Sequence, residues 1–161
     1  MNPELALGGS PGRPVGSMAE FEIRPTAPLD VAASLAFLSR CRDESVDVVS
    51  GDTWRRLFVT EQGGVVAEAR SAGSVDAPLV IVRTSTDEPR AAQAVLAAVR
   101  RVLNADADPA PWFEAAARVP VLRSLAAERR GIRPVGTPSA FEALVWAITG
   151  QHVALGVACV L

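Results

Sequence analysis

At 161 residues the chain is long enough for one domain with a real core, or for a small domain joined to part of another. Its 49% hydrophobic and 21% charged content fits a soluble globular class. A formal charge of −2 excludes the overall basic field that draws a protein to nucleic acid non-specifically.

What charge there is lies unevenly. Residues 1–99 hold nine arginines against thirteen acids, residues 100–133 hold seven against four, and residues 134–161 hold only Glu142. All 16 basic residues are arginine. That fits the planar fork that grips phosphate, and it equally fits a compositional bias. The two cysteines, Cys41 and Cys159, have no CxxC spacing and no histidine cluster, so a disulfide framework or metal site is not expected and both read as buried thiols. No charge-free apolar stretch approaches the ~18 residues of a membrane span. Residues 1–18, MNPELALGGSPGRPVGSM, lack the apolar centre of a secretory signal and read as a disordered tail, with Met18 an alternative start and the cytoplasm the default compartment.

In chain order, Phe21–Pro25 alternates apolar and polar residues, as a half-buried strand does. Pro28 and Asp30 suit the first turn of a helix running to about Arg42. Its inward stripe is Val31, Leu35 and Leu38, with Phe37 and Cys41 on the flank. Four strands are expected at Val46–Val49, Trp54–Thr60, Val65–Arg70 and Leu79–Thr84. The Gly-rich turns between the first three of these predict antiparallel hairpins. A helix follows, with Asp87 as its cap and Ala92, Val95, Leu96, Val99, Val102 and Leu103 on one face. Asn104–Pro109 ends it. Short helices are expected over Trp112–Ala117 and Val121–Arg129, then a loop, GIRPVG. Ser139 with Glu142 three residues on forms a capping box for a last helix, with Thr137 an alternative cap. Strands followed by helices predict an α+β fold: an antiparallel sheet domain with two helices over residues 19–108, then an all-α segment over 109–161.

The last segment carries the most informative stretch, FEALVWAITGQHVA. Phe141, Leu144, Val145 and Ile148 make an apolar helical stripe that Gly150-Gln151-His152 interrupts with polar residues, and Leu144, Val145, Ile148 and, further on, Leu155 are expected to lie exposed, as faces meant for partners the chain lacks. FEIRPTAPLDVAASLAFLSR, VLNADADP and GIRPVGTPSAFEALVWAITGQHVALGVA, in that order, resemble three stretches of the AlkA-type DNA-3-methyladenine glycosylase II family. The resemblance covers about residues 20–161 and is most specific in the last of them. It implies a TATA-binding-protein-like sheet domain, followed by the first helices of an all-α helix-hairpin-helix glycosylase domain.

What the resemblance implies about function is base-excision DNA repair on double-stranded DNA carrying alkylated bases, by a monomer without metal or cofactor. Such an enzyme flips the damaged nucleotide out, holds the base in an aromatic cleft, and hydrolyses the N-glycosidic bond with help from a buried Asp. The residue after the family's Gly-Gln pair wedges into the gap, which places Gly150, Gln151 and His152 at DNA. The resemblance also matches Phe37 to an aromatic of the base cleft. The chain departs from the family where His152 replaces an apolar or amide residue and where Ala154 replaces Ser. No residue matches the catalytic Asp, so no catalytic residue is assigned. The chain reads as a truncated glycosylase, inactive alone, with a non-catalytic DNA- or protein-binding module, or the remnant of a decaying gene, as the alternative. Simpler roles stand beside each assignment: His152 and Gln151 as surface residues of a helix break, Phe37, Trp54, Trp112 and Trp146 as packing, and Asp106 and Asp108 as linker caps. The cluster Arg129-Arg130-Gly131-Ile132-Arg133 is either solvated or in contact with phosphate.

Overall fold

A computed structural model describes residues 18–40, 46–153 and Val157. The tail before Met18, both cysteines, Ala154 and Leu155 lie outside the described residues. Five strands form one antiparallel sheet: β1 (Ala19–Ile23), β2 (Asp47–Ser50), β3 (Thr53–Thr60), β4 (Gly63–Ser71) and β5 (Val80–Thr84), in the order β1-β5-β4-β3-β2. The tight turn after β2 passes through Gly51 at φ +60° and the turn after β3 through Gly63 at φ +115°, conformations open to glycine at little cost.

The period of two divides the sheet cleanly. Trp54, Arg56 and Phe58 of β3, Val65, Ala67 and Ala69 of β4, and Val80, Val82 and Thr84 of β5 turn to the buried face. On the outer face charges alternate across paired strands, with Arg55 bonded to Glu68 at 2.7 Å and Arg83 to Glu20 at 2.8 Å. Opposite charges facing each other on neighbouring strands stabilise the register of an exposed face.

Two helices cover the inner face. α1 (Val31–Leu35) is capped by Asp30, whose Oδ1 accepts from the Ala33 N–H at 2.9 Å, so Asp30 precedes the helix rather than lying in its first turn. The helix expected to reach Arg42 tightens after five residues into a 3-10 turn, Ala36–Arg40. α2 (Pro89–Val102) starts one residue later than expected. Glu88, not Asp87, accepts from the Arg90 and Ala91 N–H groups, with Pro89 at the position where a missing donor does no harm. The core joins Leu35 of α1, Val95 and Val99 of α2, and the sheet residues Trp54, Phe58 and Val82. Trp54 meets Phe58 edge to face at 5.8 Å between ring centres.

Beyond α2, Asn104 turns the chain at φ +48°, and α3 (Ala110–Ala117) starts after Pro109, its first N–H, that of Ala110, donating to Asp108 Oδ1 at 2.9 Å. α4 (Pro120–Glu128) packs on α3, and α5 spans Ala140–His152. The loop between α4 and α5 returns to the sheet domain. The Asp30 N–H donates to Gly131 O at 2.8 Å, the Arg133 N–H to Ser34 Oγ at 3.0 Å, and the Gly136 N–H to Val102 O at 2.8 Å. Residues 131–136 therefore strap the helical segment onto α1 and α2, which positions the start of α5.

Candidate nucleic-acid interface

α5 begins with the expected cap: Ser139 Oγ accepts from the Glu142 N–H at 3.2 Å. The reciprocal half of the capping box is diverted. Glu142 Oε1 instead accepts from Arg56 Nη2 of β3 at 2.6 Å. The helix then runs without interruption through Gly150 and Gln151 to His152 and turns only at Val153, whose backbone is extended. The break expected at Gly150-Gln151-His152 thus comes one residue after it. Glycine lowers helix stability without ending a helix that has good formers before it, and Thr149 keeps its hydroxyl on Val145 O at 2.8 Å. The apolar face is exposed, as expected for Leu144, Val145 and Ile148. Phe141, Leu144, Val145 and Ile148 all face solvent, and no residue of α5 is buried.

Gly150, Gln151 and His152 are brought together as consecutive exposed positions of the last helical turn. A Cβ placed on Gly150 meets nothing within 4 Å. Among the described residues no contact requires glycine there. Phe37 stands apart from this turn in sequence and element, on the 3-10 segment, 55% exposed while its neighbour Leu38 packs on the core. Of the tryptophans, Trp54 is core, Trp146 is half-buried and Trp112 is exposed beside Phe113.

The arginine cluster is mostly committed within the chain. Arg133 is buried, with Nη1 donating to Asn104 O at 2.7 Å and Nη2 to Thr26 O at 2.6 Å and Pro28 O at 3.1 Å. Burial pushes its guanidinium below the usual arginine value. Arg130 bonds Asp76 at 2.6 Å, which holds that carboxyl below its usual value. Phosphate contact by Arg133 is therefore excluded and Arg130 is engaged, while Arg129 is exposed. The signal for Arg133 was local: a lone arginine two residues past a tight glycine turn, in a segment that must dock.

The carboxylates are engaged too. Asp106 is paired with Arg100, whose hydrogen bond lowers its pKa, and Asp108 accepts from the Ala110 N–H. Asp47 accepts from Arg56 Nη1 at 3.0 and 3.1 Å and from Trp54 Nε1 at 2.8 Å. Among the described residues no cluster of His, Cys, Asp and Glu has the makings of a metal site, and no helix is long and apolar enough to cross a membrane. Sequence reasoning missed the Asp47–Arg56–Glu142 cluster. The alternation Trp54-Arg56-Phe58 contained the clue, since it aims a cation at the core side.

The profile of the AlkA N-terminal domain matches residues 20–141. A DNA-3-methyladenine glycosylase of Bacillus subtilis (strain 168) is 24% identical over 133 residues, covering 80% of this chain and 43% of its own length. A solved 3-methyladenine DNA glycosylase from Archaeoglobus fulgidus shares the fold with a TM-score of 0.71 at 21% identity, over 86% of this chain and 47% of that one. The chain spans less than half the length of these two relatives. With the profile matched from the first strand to the start of α5, the chain belongs to the AlkA N-terminal domain family.

Proposed function

We propose that the chain forms the first part of a monomeric, cytoplasmic base-excision DNA glycosylase acting on double-stranded DNA with alkylated bases. In this reading the end of α5 fills the gap left by a nucleotide turned out of the stack. The relatives' glycosylase names support the reaction class. The observation that supports the site is Gly150-Gln151-His152: an exposed helix end carrying a glycine that no contact among the described residues requires, followed by an amide and a planar ring. Glycine in a helix costs roughly 0.5–1 kcal/mol against alanine, so its presence there favours close approach by an external surface. An imidazole entering a vacated step recovers part of the stacking lost, and Gln151 reaches minor-groove acceptors.

Hydrolysis of an alkylated purine breaks the N-glycosidic bond, with water adding to the sugar carbon and the base departing. The purine's positive charge makes it a good leaving group and draws it to an aromatic face, the role assigned to Phe37. No metal or cofactor is called for. Glu142 and Asp106 are paired with arginines and Asp108 accepts a backbone N–H, so in this reading the described residues supply recognition rather than bond cleavage.

A duplex with an abasic site offers the vacancy ready-made. The full chain should prefer it over the intact duplex in fluorescence anisotropy, and His152→Ala should lower that preference about tenfold, the share expected of one stacked ring. Equal affinity for both duplexes, or a preference indifferent to His152, contradicts the wedge. Gly150→Ala should raise helix stability by about 0.5–1 kcal/mol yet weaken DNA binding. A stabilised variant that binds as well as the parent would show that the glycine serves no contact.

A further inference from the structure

The Asp47–Arg56–Glu142 cluster lies well away from the helix end assigned to DNA, and nothing in the proposed reaction uses it. Its geometry is specific. Arg56 projects from β3 on the buried side of the sheet and is 9% exposed. One guanidinium nitrogen, Nη1, holds both oxygens of Asp47 on the neighbouring strand β2. The other, Nη2, holds Glu142 at 2.6 Å. Asp47 is itself fixed by the Trp54 indole N–H at 2.8 Å. The Phe58 ring lies 5.8 Å from the guanidinium carbon, and Nε is buried without a partner. Burying a cation is costly, and this one is held as a rigid fork between two strands and a helix.

Glu142 is the third residue of α5, and α5 buries no side chain of its own. Two ties hold the start of the helix. One lies just before it, where Arg101 Nη1 donates to Pro138 O and the Gly136 N–H donates to Val102 O. The other is Glu142 on Arg56. The Glu142 tie, made by a charged pair on the sheet, constrains the direction in which the helix leaves its first turn. His152 is ten residues further on, about 15 Å along the axis, so a small rotation at Glu142 becomes a large displacement at the tip.

We propose that Arg56, set by Asp47 and Trp54, is a positioning residue that aims α5 through Glu142 and so places Gln151 and His152. The inference rests on the wedge reading for its functional consequence, but the aiming of the helix is testable by itself. Asp47 and Trp54 belong to the outermost hairpin, β2–β3, so the sheet edge and the helix tip form one mechanical unit.

Two measurements on the full chain test it. In the first, spin labels at Thr60→Cys and Gln151→Cys, in a background carrying Cys41→Ala and Cys159→Ala, report the distance between sheet and helix tip. Glu142→Gln and Arg56→Lys should each broaden that distance distribution while far-ultraviolet circular dichroism stays that of the parent. An unchanged, narrow distribution in Glu142→Gln overturns the proposal whatever happens with DNA. The second measures preference for the abasic duplex over the intact one. Glu142→Gln should reduce the preference about five- to tenfold, the scale expected when a remote contact biases a site. Combining it with His152→Ala should cost no more than His152→Ala alone, because a misdirected helix has nothing left to lose. A role confined to stability would lower the melting temperature and leave that ratio alone. If His152→Ala abolishes the preference and Glu142→Gln preserves it, the wedge stands and the positioning role falls. If the parent shows no preference, the wedge reading and the functional part of this proposal fall together, and the label distances alone decide the aiming.

Discussion

Arg133→Met should destabilise the protein by about 3–5 kcal/mol, a large share of the ~5–15 kcal/mol by which domains of this kind are stable. The side chain is 7% exposed and its two terminal nitrogens serve three backbone carbonyls: Thr26 and Pro28 before α1, and Asn104 after α2. Those carbonyls lie outside the helix and strand ladders, and of the three Asn104 O also accepts from the Ala107 N–H at 3.2 Å. Methionine keeps the aliphatic stem and abolishes the desolvation of a cation, which offsets part of the loss. It leaves the Thr26 and Pro28 acceptors aimed at an apolar group, while Asn104 O keeps the Ala107 N–H, and buried acceptors without partners cost about 1–3 kcal/mol each. Arg133→Lys should fall between, since one ammonium cannot span acceptors that a planar fork reaches together. Thermal unfolding followed by circular dichroism checks this. The methionine variant should melt about 10 °C or more below the parent. A shift of only a few degrees would mean that the carbonyls find water, and that the strap is not what joins the helical segment to the sheet domain.

Most of the sheet was legible from sequence because its signals are local. Alternation marks Trp54, Arg56 and Phe58 as one face, and glycine-rich turns separate the first hairpins, so strand positions followed with small boundary shifts. The β1–β5 pairing was not legible, because nothing local says which strand a first strand joins. Helix starts were displaced by one residue where two acidic residues stand together: Glu88 rather than Asp87 has the reach and backbone conformation to accept two N–H groups. The last helix was misjudged for a different reason. A glycine followed by polar residues reads as a break, yet hydrogen bonding continues through Gly150 and the helix ends beyond His152. Its apolar stripe of Leu144, Val145 and Ile148 was expected to lie exposed, and it does. What was not legible is the fate of the arginines. Composition counts charges, whereas only the fold shows that Arg133 and Arg56 are spent on carbonyls and carboxylates inside the chain.

Gly131→Ala should cost about 2–4 kcal/mol, more than the backbone conformation alone accounts for. Gly131 sits at φ +87°, where an L side chain is strained by about 1–2 kcal/mol. An added Cβ would also lie 2.7 Å from the Asp30 nitrogen, 3.2 Å from the Leu29 carbonyl carbon and 2.8 Å from Val75 Cγ1. Val75 can rotate, but Leu29 and Asp30 are backbone, and Asp30 is the cap of α1, bonded at its own N–H to Gly131 O. Relieving the contact therefore lifts the strap and loosens the start of α1 together. Gly51 supplies the control. It has a similarly left-handed φ of +60°, yet a Cβ there meets nothing within 4 Å. Gly51→Ala should then show only the conformational part, roughly 1 kcal/mol. Denaturant unfolding of the two variants separates the effects, since both should keep the parent's m-value and differ in midpoint. Equal losses would mean that strain alone matters at both turns and that the loop has room to back away from α1. A much larger loss at Gly131 would place the junction between sheet and helices at one backbone contact with no space for a methyl group.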